Sequence, residues 1–361
     1  MDDLKELRDK ISGIDSRMVD LFEERMHVAA EIAAYKKEHG MSVKDESREE
    51  LLIRKNIELI KDTTIKEYYV AFQKNLMHLS CLYQTRLNEG MNICYSGVPG
   101  AFAYIAAKKM FPDSPLTAYG SFEEAYEAVE KGEQDCAILP IENSYAGEVG
   151  SVMDLMFSGN LYVNQVLDVD VVHNLMSVEG AKLENIKTVV SHPQALSQCD
   201  AYIRQHGFDT ETFSNTAMAA KYVQELNDPT VAAIASDETA RLYGLTMLDQ
   251  NINSSNSNTT RFASFSRAQN KPVSSAKRGN EHFILVFTVK NEAGALAQTL
   301  NIIGSHNFNM KTLRSRPMKT LMWNYFFYIE AEGNINTPDG RDMLVQLNAI
   351  CANLKLVGTY N

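Results

Sequence analysis

Four cations and a few neutral donors fall where helices would gather them. Apolar residues recur as Leu4, Leu7, Ile11, Ile14, Met18 and Leu21 and resume as Val28, Ile32 and Tyr35, the three-and-four spacing of a helix seam. The position due at 25 is Arg25. An unpaired charge in a seam is strongly destabilising, so Arg25 needs an anionic partner. One candidate is an internal ion pair with Asp45 or Glu49. The neighbours offer another. Lys36 follows about 20° around the helix at roughly 100° per residue, and Arg8 lies about 100° off that face, which suits a pocket in an opposing subunit. Asp45, Arg48 and Glu49 occupy one turn of a second helical segment, and Ser80 and Gln84 stand at i and i+4 on a third. Arginine forks pair with carboxylates bidentately, while a lysine or an amide donates to a single oxygen. The set fits a small polycarboxylate.

A second group of polar motifs sits where strands hand over to helices, and helix N-termini attract anions. These are Gly97–Phe102 (GVPGAF), Pro140–Ser144 (PIENS) with Gly147, Ser191–Gln194 (SHPQ), Asn215-Thr216-Ala217 and Thr259–Phe262 (TTRF). Singly, each admits a structural role: Ser, Thr and Asn as helix caps, glycines as turn residues, Glu142 as a satisfied carboxylate, Arg261 as an ion pair.

The elements that must position these residues change character along the 361 residues. The seam predicts one helix over 3–38, which at about 1.5 Å per residue spans roughly 50 Å, too long to bury itself alone. Further helices are expected over 46–61 and 65–86. Such a set favours a bundle completed by a second subunit. From Asn92 short apolar runs (NICYSGV, CAILPI, KTVVSHP, VAAIAS) alternate with helical stretches, which predicts two α/β lobes around a cleft, with a long extended crossing near 161–178. Residues 267–281 are polar and turn-rich and read as a linker. The last segment runs strand, helix, strand, strand, helix, strand, a ferredoxin-like βαββαβ unit. The expected division is therefore a helical domain over 1–88, a two-lobed α/β domain over 92–266, the linker over 267–281 and the βαββαβ domain over 282–361.

A net charge of -11 with no basic stripe argues against nucleic acid as a partner. No apolar run reaches the length of a membrane span, and the charged start MDDLKELRDK does not read as a signal peptide, so a cytoplasmic protein with no membrane partner is expected. The five cysteines contain no CxxC and suggest free thiols. No metal-ligand spacing, GxxxxGK[ST] or strand-linked GxGxxG occurs, so neither a metal nor a cofactor is expected.

LRDKI with Arg8, EER with Arg25, AYKK with Lys36, KDESREE with Asp45, Arg48 and Glu49, and LSCLYQ with Ser80 and Gln84 resemble the all-helical chorismate mutase family. That resemblance implies a cofactor-free rearrangement of chorismate to prephenate in an intertwined dimer. Arginines would clamp two carboxylates, Lys36 and Gln84 would stabilise charge on the breaking ether oxygen, Glu49 would hold the substrate hydroxyl, and Arg8 would reach across. The motifs GVPGAF, PIENS, SHPQALSQC, NTAMAA, AIASDETARLYGL and TTRF resemble prephenate dehydratase. This implies decarboxylation and dehydration of prephenate to phenylpyruvate, with Thr260 assisting the leaving hydroxyl, Glu142 as a proton source, and Asn143, Ser144, Gln194, Asn215, Thr216 and Arg261 as binders. Where that family carries Ser or Thr after GVPGAF, this chain has Ala103. NEAGALAQTL and LRSRPMKTLMWNYFFYIE resemble the ACT regulatory domain, implying a phenylalanine site at Gly294, Ala295, Leu296, Asn309, Met310, Ser315 and Arg316. Arg314 replaces the glutamate of its ESRP motif. A purely structural dimerisation role is the alternative for this segment. For the whole chain the alternatives are a catalytically silent amino-acid sensor and a dehydratase preferring arogenate. The expected assembly is a homodimer or higher homo-oligomer.

Overall fold

The N-terminal seam forms a single helix, α1 (Asp2–Glu38), in the computed structural model, which describes residues 2–254, 258–269, 281–318 and 324–361. Two units separate, Met1–Asn92 and Ile93–Asn361. In the first, α2 (Glu46–Glu58) begins at Asp45, whose carboxylate caps it by accepting from the Arg48 amide at 3.1 Å. A short 3₁₀ turn capped by Asp62 leads into α3 (Lys66–Glu89), which ends at Gly90. Among the described residues of this unit the buried apolar side chains are Ala29, Ala33 and Met77. Leu7, Ile11 and Leu21 remain 56%, 60% and 64% exposed, so one copy leaves most of its seam uncovered.

The second unit opens with β1 (Ile93–Ser96), α4 (Phe102–Met110), β2 (Leu116–Tyr119), α5 (Phe122–Glu130), β3 (Cys136–Asn143), β4 (Gly147–Glu148), α6 (Gly150–Ser158) and β5 (Tyr162–Asp170). It crosses into a second lobe of β6 (Asn174–Ser177), β7 (Thr188–Ser191), α7 (Pro193–Gln198), α8 (Asp200–His206), β8 (Asp209–Thr212), α9 (Thr216–Leu226), β9 (Val231–Ala235), α10 (Asp237–Tyr243) and β10 (Thr246–Asp249). The chain returns to the first lobe as β11 (Thr259–Ser266). The closing segment is β12 (His282–Thr288), α11 (Ala295–Ser305), β13 (Asn309–Pro317), β14 (Tyr325–Glu332), α12 (Pro338–Ile350) and β15 (Asn353–Tyr360).

The second lobe has its own sheet, ordered β10-β6-β9-β7-β8. The first lobe and the closing segment share another, ordered β13-β14-β12-β15-β5-β11-β3-β1-β2, with β4 beside β3. Within it the last four strands of the chain, ordered β13-β14-β12-β15, take the ferredoxin-like arrangement. The two parts join where Gly358 pairs with Val163, and any side chain at 358 would collide with the Val163 carbonyl, so the close approach requires glycine. Strand β12 shows why HFILVFT is apolar throughout. Phe283, Leu285 and Phe287 pack against Ile303, Met343 and Leu347 from α11 and α12, while Ile284 and Val286 enter the core of the first lobe with Phe265 and Val163. Phe157 of α6 stacks on Phe326 of β14 at 4.5 Å. The sequence read the closing segment as a separate domain behind a linker; here it is built into the lobe's sheet and core. Most of that expected linker, 267–281, lies outside the described residues.

Candidate functional site

In the helical unit a cavity of about 420 Å³ is lined by apolar Leu21, Val28, Ala29 and Ile32 and by Glu24, Arg25, Ser80 and Gln84. The Arg25 guanidinium donates to the Ser80 hydroxyl, which in turn donates to the Leu76 carbonyl at 2.9 Å. Among the described residues no ion pair joins Arg25 to Asp45 or Glu49. Asp45 is taken up in capping α2, and a Glu49 oxygen lies 3.7 Å from the Cys81 thiol. Among the described residues the Gln84 side-chain oxygen is buried without a partner. Lys36 donates to the Val43 carbonyl, and Arg8 and Arg48 are exposed. Arg25, Ser80 and Gln84 therefore meet within one copy, whereas Arg8, Lys36, Asp45, Arg48 and Glu49 line no part of that cavity.

In the second unit a cleft of about 210 Å³ lies where the two connections between lobes run side by side. Those connections are bonded to each other: the His173 amide donates to the Asn253 side chain at 2.7 Å, and the Val171 amide donates to the Asn258 carbonyl at 2.7 Å. Strand register decides what enters the cleft. Thr260 faces Asn143 and Arg261 faces Glu142 across the β11–β3 ladder, and successive side chains point to opposite sides. Thr260 and Asn143 line the cleft, with Asn143 Nδ2 donating to Thr260 Oγ1 at 2.8 Å. Gln194, Asn215 and Thr216 also line it, and Asn215 caps α9 by accepting from the Met218 amide at 2.8 Å.

Arg261 and Glu142 lie on the other side. Arg261 makes a forked pair with the buried Glu330 carboxylate, both bonds 2.8 Å, and donates to the Tyr360 hydroxyl at 3.0 Å. Glu142 accepts from Arg314 at 3.0 Å and lies 3.5 Å from Arg261. The expectations of Arg261 as a substrate binder and Glu142 as a proton source thus give way to structural ion pairs: a carboxylate between two guanidinium groups and outside the cleft is badly placed to deliver a proton there. Ser144 is likewise absent from the cleft lining; its hydroxyl accepts from the Thr259 amide at 2.9 Å and ties β3 to β11.

The sequence did not single out three of the buried polar residues that line the cleft: His173, Gln198 (within SHPQALSQC) and Asn258. All three are buried, and burial lowers the His173 pKa below its ordinary value, as it does that of His192, which borders the same cleft. The available signal was a histidine inside VDVVHNLMS, a stretch otherwise rich in apolar residues within the expected crossing.

In the closing segment Gly294 adopts φ 86° to open α11, and with Ala295, Lys290, Glu292 and Gln298 it borders a groove of about 400 Å³. Leu296 and Met310 pack into the core beneath, and Asn309 donates to Glu332 at 2.8 Å. Arg316 holds Asp154 of α6 at 3.0 Å, and Arg314 adds Glu148 at 3.5 Å to its bond with Glu142. Ser315 and Arg316 do not border the groove.

An arginine-bearing pocket inside a helical unit and an amide-lined cleft between two α/β lobes, carried by one polypeptide, define a two-site enzyme acting on small organic acids. Residues 93–270 match the prephenate dehydratase family and residues 7–85 the chorismate mutase type II family. A bifunctional chorismate mutase/prephenate dehydratase of Buchnera aphidicola is 30% identical, over 98% of this chain and 95% of its own length. Arogenate dehydratase 2 of Petunia hybrida is 31% identical, over 75% of this chain and 71% of its own. The crystal structure of prephenate dehydratase from Arthrobacter aurescens in complex with L-Phe superposes with a TM-score of 0.68 at 28% identity, covering 74% of this chain and 89% of that one. The chain belongs to the bifunctional chorismate mutase/prephenate dehydratase family, enzymes that serve phenylalanine biosynthesis.

Proposed function

We propose that the helical unit rearranges chorismate to prephenate and that the cleft of the second unit converts prephenate to phenylpyruvate, under feedback inhibition by phenylalanine. In the mutase pocket Arg25 grips a substrate carboxylate while Gln84 and Lys36 stabilise charge on the breaking ether oxygen; the folded conformer is held, and no acid or base is required. A homodimer completes this pocket, with Arg8 supplied by the second copy. The exposed seam supports that assembly, as does an apolar groove of about 610 Å³ lined by Met18, Phe22, Phe72 and Leu79 that also reaches Arg25. The enzyme acts in the cytoplasm; among the described residues no helix is long and apolar enough to cross a membrane.

In the dehydratase, carbon dioxide and hydroxide depart and the ring becomes aromatic. Thr260 donates a hydrogen bond to the departing hydroxyl, and the carrying observation is that Asn143 Nδ2 fills an acceptor position of Thr260 Oγ1 at 2.8 Å, leaving the threonine proton for the substrate. Prephenate is favoured over arogenate because the same chain produces prephenate. The closing segment is an ACT regulatory domain that takes phenylalanine at the groove around Gly294. Its Arg314 bonds to Glu142, next in sequence to Asn143, and give phenylalanine a short route to the cleft, provided it binds two states of the protein unequally.

One experiment tests the scheme: purified protein is given chorismate, and prephenate and phenylpyruvate are followed with and without phenylalanine. Prephenate should appear first and phenylpyruvate after it, and phenylalanine should slow the second step. Chorismate left unconsumed, or prephenate that accumulates without further change, removes the corresponding half of the scheme.

A further inference from the structure

The amides around the dehydratase cleft form a chain whose direction is fixed at one end by the backbone. Asn143 Oδ1 accepts from the amides of Tyr145 at 3.0 Å and Ala146 at 2.9 Å, and a backbone N–H can only donate. The other end of that side chain is therefore the NH₂, which donates to Asn258 Oδ1 at 2.9 Å and to Thr260. Asn258 is thereby oriented as well, and its NH₂ donates to Gln198 Oε1 at 2.9 Å. Gln198 Oε1 lies 2.8 Å from His173 Nε2, so Nε2 must carry the proton. Burial keeps this imidazole neutral. Its Nδ1 is then a bare lone pair, and it is buried with no protein partner among the described residues. His173 is 2% exposed and lines the cleft, and a buried acceptor left unpaired carries a desolvation cost unless something donates to it.

We infer that His173 is a substrate-binding residue of the dehydratase, its Nδ1 accepting a hydrogen bond from the substrate hydroxyl. This deepens, and rests on, the reading of the cleft as the prephenate site. The chemistry of the substrate selects the contact. Fully ionised prephenate has two carboxylates and a ketone, all acceptors, and a single donor, its hydroxyl. A neutral imidazole lone pair can satisfy only that group. The same oxygen can then accept from Thr260, whose acceptor position is already filled by Asn143. One backbone-anchored chain thus sets both ends of the contact: His173 receives the hydroxyl proton in a hydrogen bond, and Thr260 donates to the oxygen that leaves. The Gln198 NH₂, also buried without a partner among the described residues, is a further donor at this edge of the cleft.

The test uses full-length protein and two substitutions. His173→Gln keeps a donor able to reach Gln198 but removes the Nδ1 acceptor; His173→Asn places an oxygen near Nδ1 and gives up the link to Gln198. Turnover of supplied prephenate should fall about 100-fold in His173→Gln and no more than about tenfold in His173→Asn. Binding of phenylpyruvate, which has no ring hydroxyl, should stay within about twofold of wild type in both, because only the hydroxyl contact is lost. Turnover in His173→Gln within about threefold of wild type would overturn the assignment. So would a loss of phenylpyruvate binding that parallels the loss of turnover, since His173 would then support the cleft and not touch the hydroxyl. Failure of the underlying reading looks different: wild-type protein itself would show no turnover of supplied prephenate, leaving no dehydratase activity for either substitution to lower.

Discussion

In the proposed scheme the two sites handle doubly charged acids by opposite means. In that scheme the mutase pocket relies on full charges carried by long, separated side chains, of which, among the described residues, one copy brings Arg25 to the cavity with Ser80 and Gln84. The dehydratase cleft is lined among the described residues by neutral amides, hydroxyls and imidazoles, bonded to each other before any ligand arrives. A strong charge tolerates an incomplete frame because its attraction reaches further. Neutral donors work only when orientation is fixed in advance, which the backbone amides at 145 and 146 accomplish.

The sharpest way to break this contrast is to remove the charge. Arg25→Ala should lower mutase kcat/KM by about 10³-fold or more while dehydratase turnover of supplied prephenate is unchanged; a mutase loss below tenfold would mean that the pocket does not depend on the guanidinium. Thr260→Ala should cost the dehydratase about 10²- to 10³-fold and spare the mutase. If both activities fell together, the two sites could not be as independent as their construction suggests.

Smaller effects probe the join between the dehydratase lobe and the closing segment. Burial alone would raise the Glu330 carboxyl, but hydrogen bonds from Arg261 and Tyr360 outweigh it and hold its pKa below the ordinary range. A carboxylate depressed in the folded state contributes stability that is present above its unfolded pKa of about 4.3 and is lost as pH falls through the folded value. Glu330→Gln, which leaves Arg261 without its counter-charge, should cost about 3 kcal/mol in urea unfolding at neutral pH. It should also flatten the fall in stability on acidification below about pH 4. An unchanged urea midpoint would show that the pair adds nothing to the join.

The smallest change is Arg314→Glu. It would set a third carboxylate beside Glu142 and Glu148, and because Arg314 is partly solvated the expected loss is about 1 kcal/mol. Calorimetric titration with phenylalanine should show altered binding if these contacts carry the effector's influence. Identical titrations would separate the arginine from regulation.

Much of the architecture was legible because it is written in local periods. The seam from Leu4 to Tyr35 announces α1, the alternation from Asn92 announces the lobes, and the order after residue 281 announces the ferredoxin-like segment. Arg25 stood out as the breach of a pattern. The cleft was less readable. Asn143 and Glu142 are neighbours in one motif, as are Thr260 and Arg261 in another, and sequence alone gives no means of telling which of each pair faces the cleft. His173 carried no motif, since its importance lies in contacts with Gln198 and, through it, with Asn258, which stand far away in the chain.

What the sequence by itself determined is thus the kind of element at each position and the chemical types available to it, because helix and strand periods are set by residues three, four or two apart. Only the tertiary structure decided that Arg261 pairs with Glu330, that the closing segment extends the lobe's sheet through Gly358, and that His173 presents a lone pair. The physical reason is common to all three. Facing direction, sheet continuation and tautomer are fixed by hydrogen bonds and packing between segments distant in the chain, and no local pattern encodes them.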